Sequence, residues 1–297
     1  MTIVHVHSDD MAATEAVTTR MLAAWTSGAI GGFSVLANGR ALGRLCHALK
    51  EESKRPARIA AHLNLSEGPP CAAAPSVAML VDADGELNQT FGSLLRTWLR
   101  ADAARRVRFL DQVRSEWRAQ IERLRAALPD RSLAALDGHM HVHMLPFLFP
   151  IAADLAKEFG IPQIRISRES LYLAGGLRDL ANPAILINFV KHAVLRMCAR
   201  FAEPAARERG LTWPDRIVGV IYSGCLSAEA AKAGVEAARR DGASEVEVVF
   251  HVGRAVENER DRWGRRDFMS EFYLSPQRDL EFEQAEQFNP SGRMPTR

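Results

Sequence analysis

Two adjacent carboxylates close a short apolar segment at the start of the chain. The segment reads MTIVHVHSDD, and its alternating apolar residues are typical of a buried strand that ends at Asp9 and Asp10. Histidines follow apolar segments at three later places, as His62 in AAHLNL, a group of three in DGHMHVH, and His251 in VFHVG. Carboxylates and imidazoles are common ligands of zinc-like ions and common acid–base groups. The pattern therefore indicates metal-assisted hydrolysis.

The segment DGHMHVH is the densest part of this set. It contains Asp137, His139, His141 and His143. In a β-strand alternate residues point to the same face, so we expect the three imidazoles to share one face. Burying them without a function would be costly in free energy. A metal or catalytic site is therefore predicted around this segment.

The two acids at the first strand end can divide two roles. One carboxylate and two imidazoles leave open positions on a zinc-like ion, which lowers the pKa of bound water to about 7. We predict that Asp10 is a ligand and that Asp9 accepts the proton of that water. The simpler interpretations are that the Asp pair only caps a helix and that His62 is a hydrogen-bonded core residue.

These residues require a scaffold that brings distant strand ends together. Strand-like and helix-like segments alternate about seven times along the chain, which is the pattern of a parallel sheet covered by helices. In such folds ligands bind at the C-terminal ends of the strands. Because four strand ends converge more readily in a closed barrel than in an open sheet, we predict an α/β barrel of the TIM type.

Composition limits the classes of protein that the chain can represent. Its 297 residues are 47% hydrophobic and 25% charged, and the net charge is +2. So balanced a charge does not indicate a nucleic-acid partner, and no segment resembles a membrane span or a signal peptide. The four cysteines form no CxxC pair, which favours buried thiols in a reducing compartment. We therefore expect a cytoplasmic protein without membrane insertion.

Two segments depart from the alternation. Residues 66–95 are turn-rich and too long for an ordinary connection, so they form either a lid loop or a surface excursion. Residues 253–297 are highly charged but carry aromatic residues, which predicts that this C-terminal segment packs on the barrel. Its arginines Arg260, Arg262, Arg265 and Arg266 surround Trp263. They are either a solvated basic turn or a site for an anionic group of the substrate.

At this point the motifs carry a family resemblance. The segments SDD, SVLANG, HLNLSEGPP, LDGHMHVHMLP and FHVGRA occur in the order found in the YdjC-like carbohydrate deacetylases, which include the chitooligosaccharide deacetylases. The chain resembles that family from about Ile3 to about Leu274. The resemblance implies a single domain over residues 1–297 that forms a distorted seven-stranded β/α barrel. It also implies a homodimer and removal of an acetyl group from a small N-acetylated sugar.

The resemblance further implies a set of site residues. Asp10, His62 and His139 match the ligands of one divalent ion, Asp9 matches the base, and His251 matches the acid. Zinc is the expected ion, and cobalt, manganese or magnesium would also suit these ligands.

Other residues of the same segments have supporting roles or open ones. His141 and His143 are expected to line the site or support it, and Asp137 to orient a ligand imidazole. Arg165, in QIRISRE, either orients Asp9, holds substrate, or is a surface or salt-bridging arginine.

Two departures from the family pattern concern the pocket. Met11 and Ala12 replace the usual Phe-Gly after the Asp pair, and Val252 replaces proline after His251. Two other functions remain open. A metal-dependent phosphoesterase would use similar clusters but usually binds two ions. A non-catalytic carbohydrate-binding protein could retain the fold.

Overall fold

Seven strands in the described part of the chain lie in one parallel sheet. A computed structural model describes residues 2–259, 263 and 267–288. The strands are β1 (Ile3–Met11), β2 (Gly32–Val35), β3 (Arg58–Leu63), β4 (Ala135–Gly138), β5 (Gln163–Ile164), β6 (Arg216–Val218) and β7 (Glu245–Phe250). Their order across the sheet is β5-β4-β3-β2-β1-β7-β6. All C-terminal strand ends therefore lie at one edge, as the sequence pattern requires.

The sheet curls into a half-barrel. Beyond β5 the chain forms an isolated parallel bridge between Glu169 and Ile217, which brings this segment against β6. The buried Glu169 carboxylate also accepts hydrogen bonds from the backbone N–H groups of Gly219 and Ile221, at 2.7 and 2.8 Å. These contacts draw the two outer strands together. The predicted distorted, seven-stranded β/α barrel fold is confirmed. Its outer strands β5 and β6 are short, so the barrel is not regularly closed.

The helices cover the outside of this sheet. They are α1 (Glu15–Ser27), α2 (Leu42–Glu51), α3 (Phe91–Arg100), α4 (Ala103–Ala127), α5 (Phe149–Glu158), α6 (Pro183–Glu208), α7 (Ala228–Arg240), α8 (Asp267–Leu274) and α9 (Gln277–Gln287). Their ends follow local sequence rules. Thr14 caps the first turn of α1 through its side chain, and Gly28 ends that helix at φ 86°. No helix in the described part of the chain is long and apolar enough to cross a membrane.

The turn-rich segment after β3 is tied to the long helix α4. Within it Ala74–Ser76 form a 3₁₀ turn, and Val81 forms an antiparallel bridge with Leu87. The buried Glu116 of α4 accepts hydrogen bonds from the N–H groups of Cys71 and Ala72, both at 2.9 Å. These contacts hold the start of the segment beside β3 and its histidine.

The C-terminal helices pack near the first strand. α9 contacts α1, α7 and β7, and Arg278 on α9 is fully buried. Trp263 is also buried. The arginines Arg260, Arg262, Arg265 and Arg266 lie outside the described residues.

The histidine cluster is not a strand. β4 ends at Gly138, and His139–Met144 form a 3₁₀ turn in which Met140 and His141 have φ of 52° and 56°. The expectation that His139, His141 and His143 share one strand face is therefore wrong. Left-handed backbone at two successive residues turns the chain sharply, so the three imidazoles point to different partners.

Candidate active site

The end of β1 places the two acids at the edge of the sheet. The pairing register with β2 shifts between Ser8 and Met11, and Asp10 and Ala12 adopt φ of 72° and 74°. This left-handed conformation costs an L-residue about 1–2 kcal/mol and is usually left to glycine. A glycine at the position of Ala12 would adopt this conformation without that cost. Strain of this kind is concentrated at functional sites, where it aims a side chain.

Asp10, His62 and His139 come together as the sequence predicted. One ligand atom of each residue lies within 4.8 Å of those of the other two, and all three side chains are buried. Asp10 Oδ1 lies 3.0 Å from His139 Nδ1 and 3.7 Å from His62 Nε2. One carboxylate and two imidazoles in this arrangement fit a divalent ion such as zinc.

His62 is oriented by a carboxylate behind it. Asp137 lies beside His62 in the register of β3 and β4, and its Oδ1 is 2.7 Å from His62 Nδ1. Asp137 Oδ2 accepts a hydrogen bond from Ser34 on β2. An acceptor at Nδ1 fixes the tautomer so that Nε2 faces Asp10 with its lone pair. The predicted orienting role of Asp137 therefore has the contact that it requires.

His139 lies between two carboxylates. Its Nε2 is 3.0 Å from Oε1 of Glu67, which follows β3 in the turn-rich segment. Burial lowers the pKa of His139, but its hydrogen bonds with Asp10 and Glu67 outweigh burial and raise the pKa to about 10. The metal-free protein therefore holds His139 protonated at neutral pH.

Arg165 forms hydrogen bonds with Asp9 and is not among the residues that line the cavity beside the acids. Its Nη1 donates to both Asp9 oxygens, at 3.0 and 2.8 Å, and lies 2.9 Å from Asp137 Oδ2. Its Nε donates to Glu247 at 2.5 Å. Burial opposes ionisation of Asp9, but Arg165, His62 and His7 hold the pKa of Asp9 well below its usual value. Arg165 thus has the contact that orientation of Asp9 requires, within a buried set of salt bridges to Asp9, Asp137 and Glu247.

His251 lies at the end of β7 on the other side of Asp10. Burial lowers the pKa of His251 to about 4, with Arg278 adding to the shift, so the imidazole is neutral at pH 7. Its Nδ1 is 4.0 Å from Glu281, and its backbone N–H donates to the same carboxylate at 2.5 Å. Arg278 Nη1 donates to Asp10 Oδ2 at 3.1 Å.

The remaining two histidines have separate surroundings. His141 lines the cavity beside the acids, and its Nδ1 is 2.8 Å from Ser167 Oγ. His143 is buried, with Nε2 2.9 Å from the carbonyl oxygen of Arg165. Burial lowers the pKa of His143 to about 4. His141 is thus positioned to meet a substrate, whereas His143 supports the segment after β5 that carries Arg165.

A second group of ionisable residues lies beside the first. His7, Asp9 and Asp137 also have ligand atoms within 4.8 Å of one another. However, the guanidinium of Arg165 already contacts both carboxylates of this group. A fixed cation at that position neutralises the acids and disfavours a second divalent ion.

The site opens into a cavity of about 700 Å³. Its lining includes all five residues proposed as ligands or acid–base groups, which are Asp9, Asp10, His62, His139 and His251. The sequence thus singled out these five lining residues and His141, whereas it gave no indication of Lys191, which also lines the cavity.

Residues that support this end were missed. Glu67 lies inside the quoted segment HLNLSEGPP and could have been singled out as an acid next to a strand end. Arg278, Glu281 and Glu247 gave no signal, because isolated charged residues in a charged helix or strand resemble solvated ones.

Solved structures include a neighbour of the same fold. A protein of Enterococcus faecalis V583, named for cellobiose-phosphate cleavage, superposes with a TM-score of 0.64 over 96% of this chain and 95% of its own. Its sequence is 17% identical, so the likeness concerns the fold alone.

Sequence relatives are more specific. Chitooligosaccharide deacetylases of Yersinia pestis (strain Pestoides F) and Yersinia pseudotuberculosis (strain YPIII) are 30% identical over 171 residues. This match covers 57% of the chain and 61% of each relative. The profile of the YdjC-like protein family matches residues 3–288, which include the strand ends described above. The chain therefore belongs to the YdjC-like protein family.

Proposed function

We propose that the protein is a metal-dependent hydrolase that removes an acetyl group from an N-acetylated amino sugar or its conjugate. The observation that carries this proposal is the buried group of Asp10, His62 and His139 beside Asp9, at one end of a cavity large enough for a sugar. Membership of the YdjC-like family and the similarity to chitooligosaccharide deacetylases support the choice of substrate.

Asp10, His62 and His139 are the residues that would hold the ion. The orienting contact of Asp137 on His62 supports this assignment, because it leaves Nε2 available as a ligand. When bound, a divalent ion supplies Lewis-acid polarisation of the amide carbonyl and lowers the pKa of water. Zinc suits two imidazoles and one carboxylate best, and magnesium, cobalt or manganese are the other candidates.

Asp9 and His251 are proposed as the proton-transfer pair. Arg165 fixes the position of the ionised Asp9 carboxylate, which can accept a proton from the attacking water. His251 is neutral in the free protein and must take up a proton before it donates one to the departing amine. His251 takes this proton from solvent and passes it to the amine, and Asp9 releases to solvent the proton that it accepted from water. The pair then returns to its starting state after each turnover.

Ligand variants test the proposal directly. Asp10→Ala, His62→Ala and His139→Ala should each lower the metal content of the purified protein and abolish acetate release from N-acetylated sugars. His47→Ala is the matched control, because His47 is an exposed histidine on α2 that pairs only with Glu51 in the described structure. Full metal content in all three ligand variants would contradict the assignment.

Metal stoichiometry separates the deacetylase from a phosphoesterase. The group of His7, Asp9 and Asp137 could be a second metal site, as a two-metal phosphoesterase requires. Because Arg165 already contacts both acids of that group, we expect one ion per chain. Two ions per chain with phosphate ester hydrolysis would favour the phosphoesterase. One ion without hydrolysis of any acetylated sugar would favour a carbohydrate-binding protein.

The cytoplasmic location and the homodimer stay predictions from the sequence. So does the division into one domain over residues 1–297 with a lid at 66–95 and a packed segment at 253–297.

A further inference from the structure

The lining of the cavity is mainly apolar away from the acids and histidines. Its lining includes eight apolar residues, and α6 contributes half of them as Ile187, Val190, Val194 and Leu195. These lie at the helical spacing of one face. Helix α6 therefore presents an apolar surface to whatever extends from the reacting amide.

Three other elements continue this apolar lining. Phe91 comes from the start of α3, Met140 from the turn after β4, and Met269 and Phe272 from α8. Apolar residues from four separate elements thus meet around one space. Binding of an apolar group in such a cavity is favourable, because apolar surface is removed from water on both sides.

Two of these side chains are unusually exposed. Ile187 and Val190 are 69% and 67% exposed although both line the cavity. Aliphatic side chains that face solvent inside a ligand cavity are not needed for the core. Their burial on binding would instead contribute to affinity for an apolar group.

Polar partners for additional sugar rings are scarce. Apart from the acids and histidines at the site, the polar side chains among the described lining residues are Lys191 and Ser223. A second or third sugar would place several hydroxyl groups against valine, isoleucine and phenylalanine. Hydroxyl groups that lose water without a new hydrogen bond weaken binding.

A phosphate is also poorly accommodated by the described lining. Lys191 is the one lysine or arginine among those residues, and burial lowers its pKa. Phosphate sites usually supply several charged or backbone donors. The described part of the cavity therefore differs from what a sugar nucleotide requires.

We propose that the substrate is an amphiphile, a single N-acetylated amino sugar whose aglycone is a long apolar chain. The proposal rests on the proposed deacetylase function and names its substrate class. The acetamido group lies at the acid–histidine end, and the chain lies along α6 and α8 over Ile187, Val190 and Phe272. The apolar lining would then select against longer chitooligosaccharides.

Chain length provides the test. Methyl, butyl and octyl β-glycosides of N-acetylglucosamine would be compared below their micelle concentrations, with triacetylchitotriose and UDP-N-acetylglucosamine as competing substrates. We expect kcat/KM for acetate release to increase at least tenfold from methyl to octyl. Each buried methylene contributes up to roughly fourfold, so burial of about two of the additional methylenes is enough for this increase. A better rate with triacetylchitotriose or the nucleotide sugar, or no change with chain length, would overturn the proposal.

Variants on one helix locate the effect. Val190→Asn should reduce the octyl-to-methyl ratio of kcat/KM about threefold to tenfold, because a polar side chain there removes apolar contact with the octyl chain. Phe201→Asn is the matched control, because Phe201 is 60% exposed on α6, does not line the cavity, and is about 16 Å along the helix from Val190. It should leave the ratio unchanged. Equal effects of the two variants would contradict binding in the cavity.

Binding without turnover separates this inference from the proposed function. Calorimetry with methyl and octyl β-glucosaminide measures the apolar contribution whether or not acetate is released. Tighter binding of the octyl compound without hydrolysis of any acetylated sugar would contradict the deacetylase and retain the apolar site. Hydrolysis of the methyl and octyl compounds at equal rates, with equal binding, would contradict only the apolar site.

Discussion

At the scale of single residues, the acid–histidine group is an arrangement of charges that the proposed ion would enter. Asp10 binds both His139 and Arg278 in the metal-free protein. Burial opposes its ionisation, but His139, Arg278 and His251 hold the pKa of Asp10 well below its usual value. The carboxylate is therefore ionised at any ordinary pH, and among the proposed ligands His139 is one that would have to lose a proton.

Metal binding should therefore release a proton. His139 has a pKa of about 10 in the metal-free protein and must lose its proton to become a ligand. Calorimetric titration with zinc at pH 7, in buffers of different ionisation enthalpy, should show about one proton released per ion. Affinity should increase as pH rises, because fewer protons then compete with the ion. No proton release would mean that His139 is not a ligand.

The two acids should respond differently to loss of charge. Asp9→Asn removes the proposed base but no proposed ligand, so metal content should stay normal while kcat decreases by roughly two to four orders of magnitude. The ratio of bound metal to protein and the steady-state rate would be measured on the same sample. Loss of the ion from Asp9→Asn would mean that the roles of Asp9 and Asp10 are reversed.

At the scale of elements, the C-terminal helix α9 completes a site that begins on β1. Arg278 on α9 donates to Asp10 and, through Nε, to the carbonyl oxygen of Gly253 at 2.7 Å. Gly253 itself has φ 85°, and a Cβ there would lie 2.7 Å from Arg20 Cβ. Glycine is thus required where the loop after β7 meets both α1 and α9.

Loss of Arg278 should destabilise the protein more in the absence of metal than in its presence. Arg278→Met leaves Asp10 with one cationic partner fewer in a buried site, which should cost about 3 kcal/mol. A bound divalent ion would replace part of that positive charge, so added zinc should raise the Tm more in the variant than in the wild type. Thermal unfolding with zinc and with EDTA measures both effects.

Arg254→Met is the control for this experiment. Arg254 is an exposed residue of the same segment that pairs with Asp279 at 2.9 Å. An exposed pair contributes about 0–1 kcal/mol, so this change should have little effect with or without zinc. Equal responses of the two variants would contradict a role of Arg278 at Asp10.

At the scale of the whole molecule, buried acids make stability depend on pH. Burial raises the pKa of Glu281 to about 7, although the His251 N–H and Arg278 oppose the shift. The folded protein thus keeps this proton above the pH at which the unfolded chain loses it, near 4.5. The stabilisation is present below about pH 4.5 and is lost as pH rises to about 7.

Glu281→Gln should remove this dependence. The amide of the variant stays neutral at every pH. The free energy of unfolding of the variant should therefore decrease between pH 4.5 and 7.5 by about 3 kcal/mol less than that of the wild type. Urea unfolding at a series of pH values measures the difference, and the exposed Glu283→Gln on the same helix is the control. Parallel pH profiles for Glu281→Gln and wild type would contradict the assignment.

The sequence by itself determined the order of the elements and the residues that are proposed to carry the chemistry. Strand-like and helix-like segments alternate with clear signals, and parallel strands place their C-terminal ends at one edge. Positions at or directly after the C-terminal ends of strands could therefore bring together Asp9, Asp10, His62, His139 and His251. This inference needed only local patterns and one topological rule.

Only the tertiary structure decided how these residues are supported. His139, His141 and His143 leave the strand because the backbone turns left-handed at Met140 and His141, which no period-two pattern reveals. Glu67 and Arg278 contact the site residues His139 and Asp10 from 72 and 268 residues away in the chain. Such contacts follow from packing of distant elements, and local residue spacing carries no information about them.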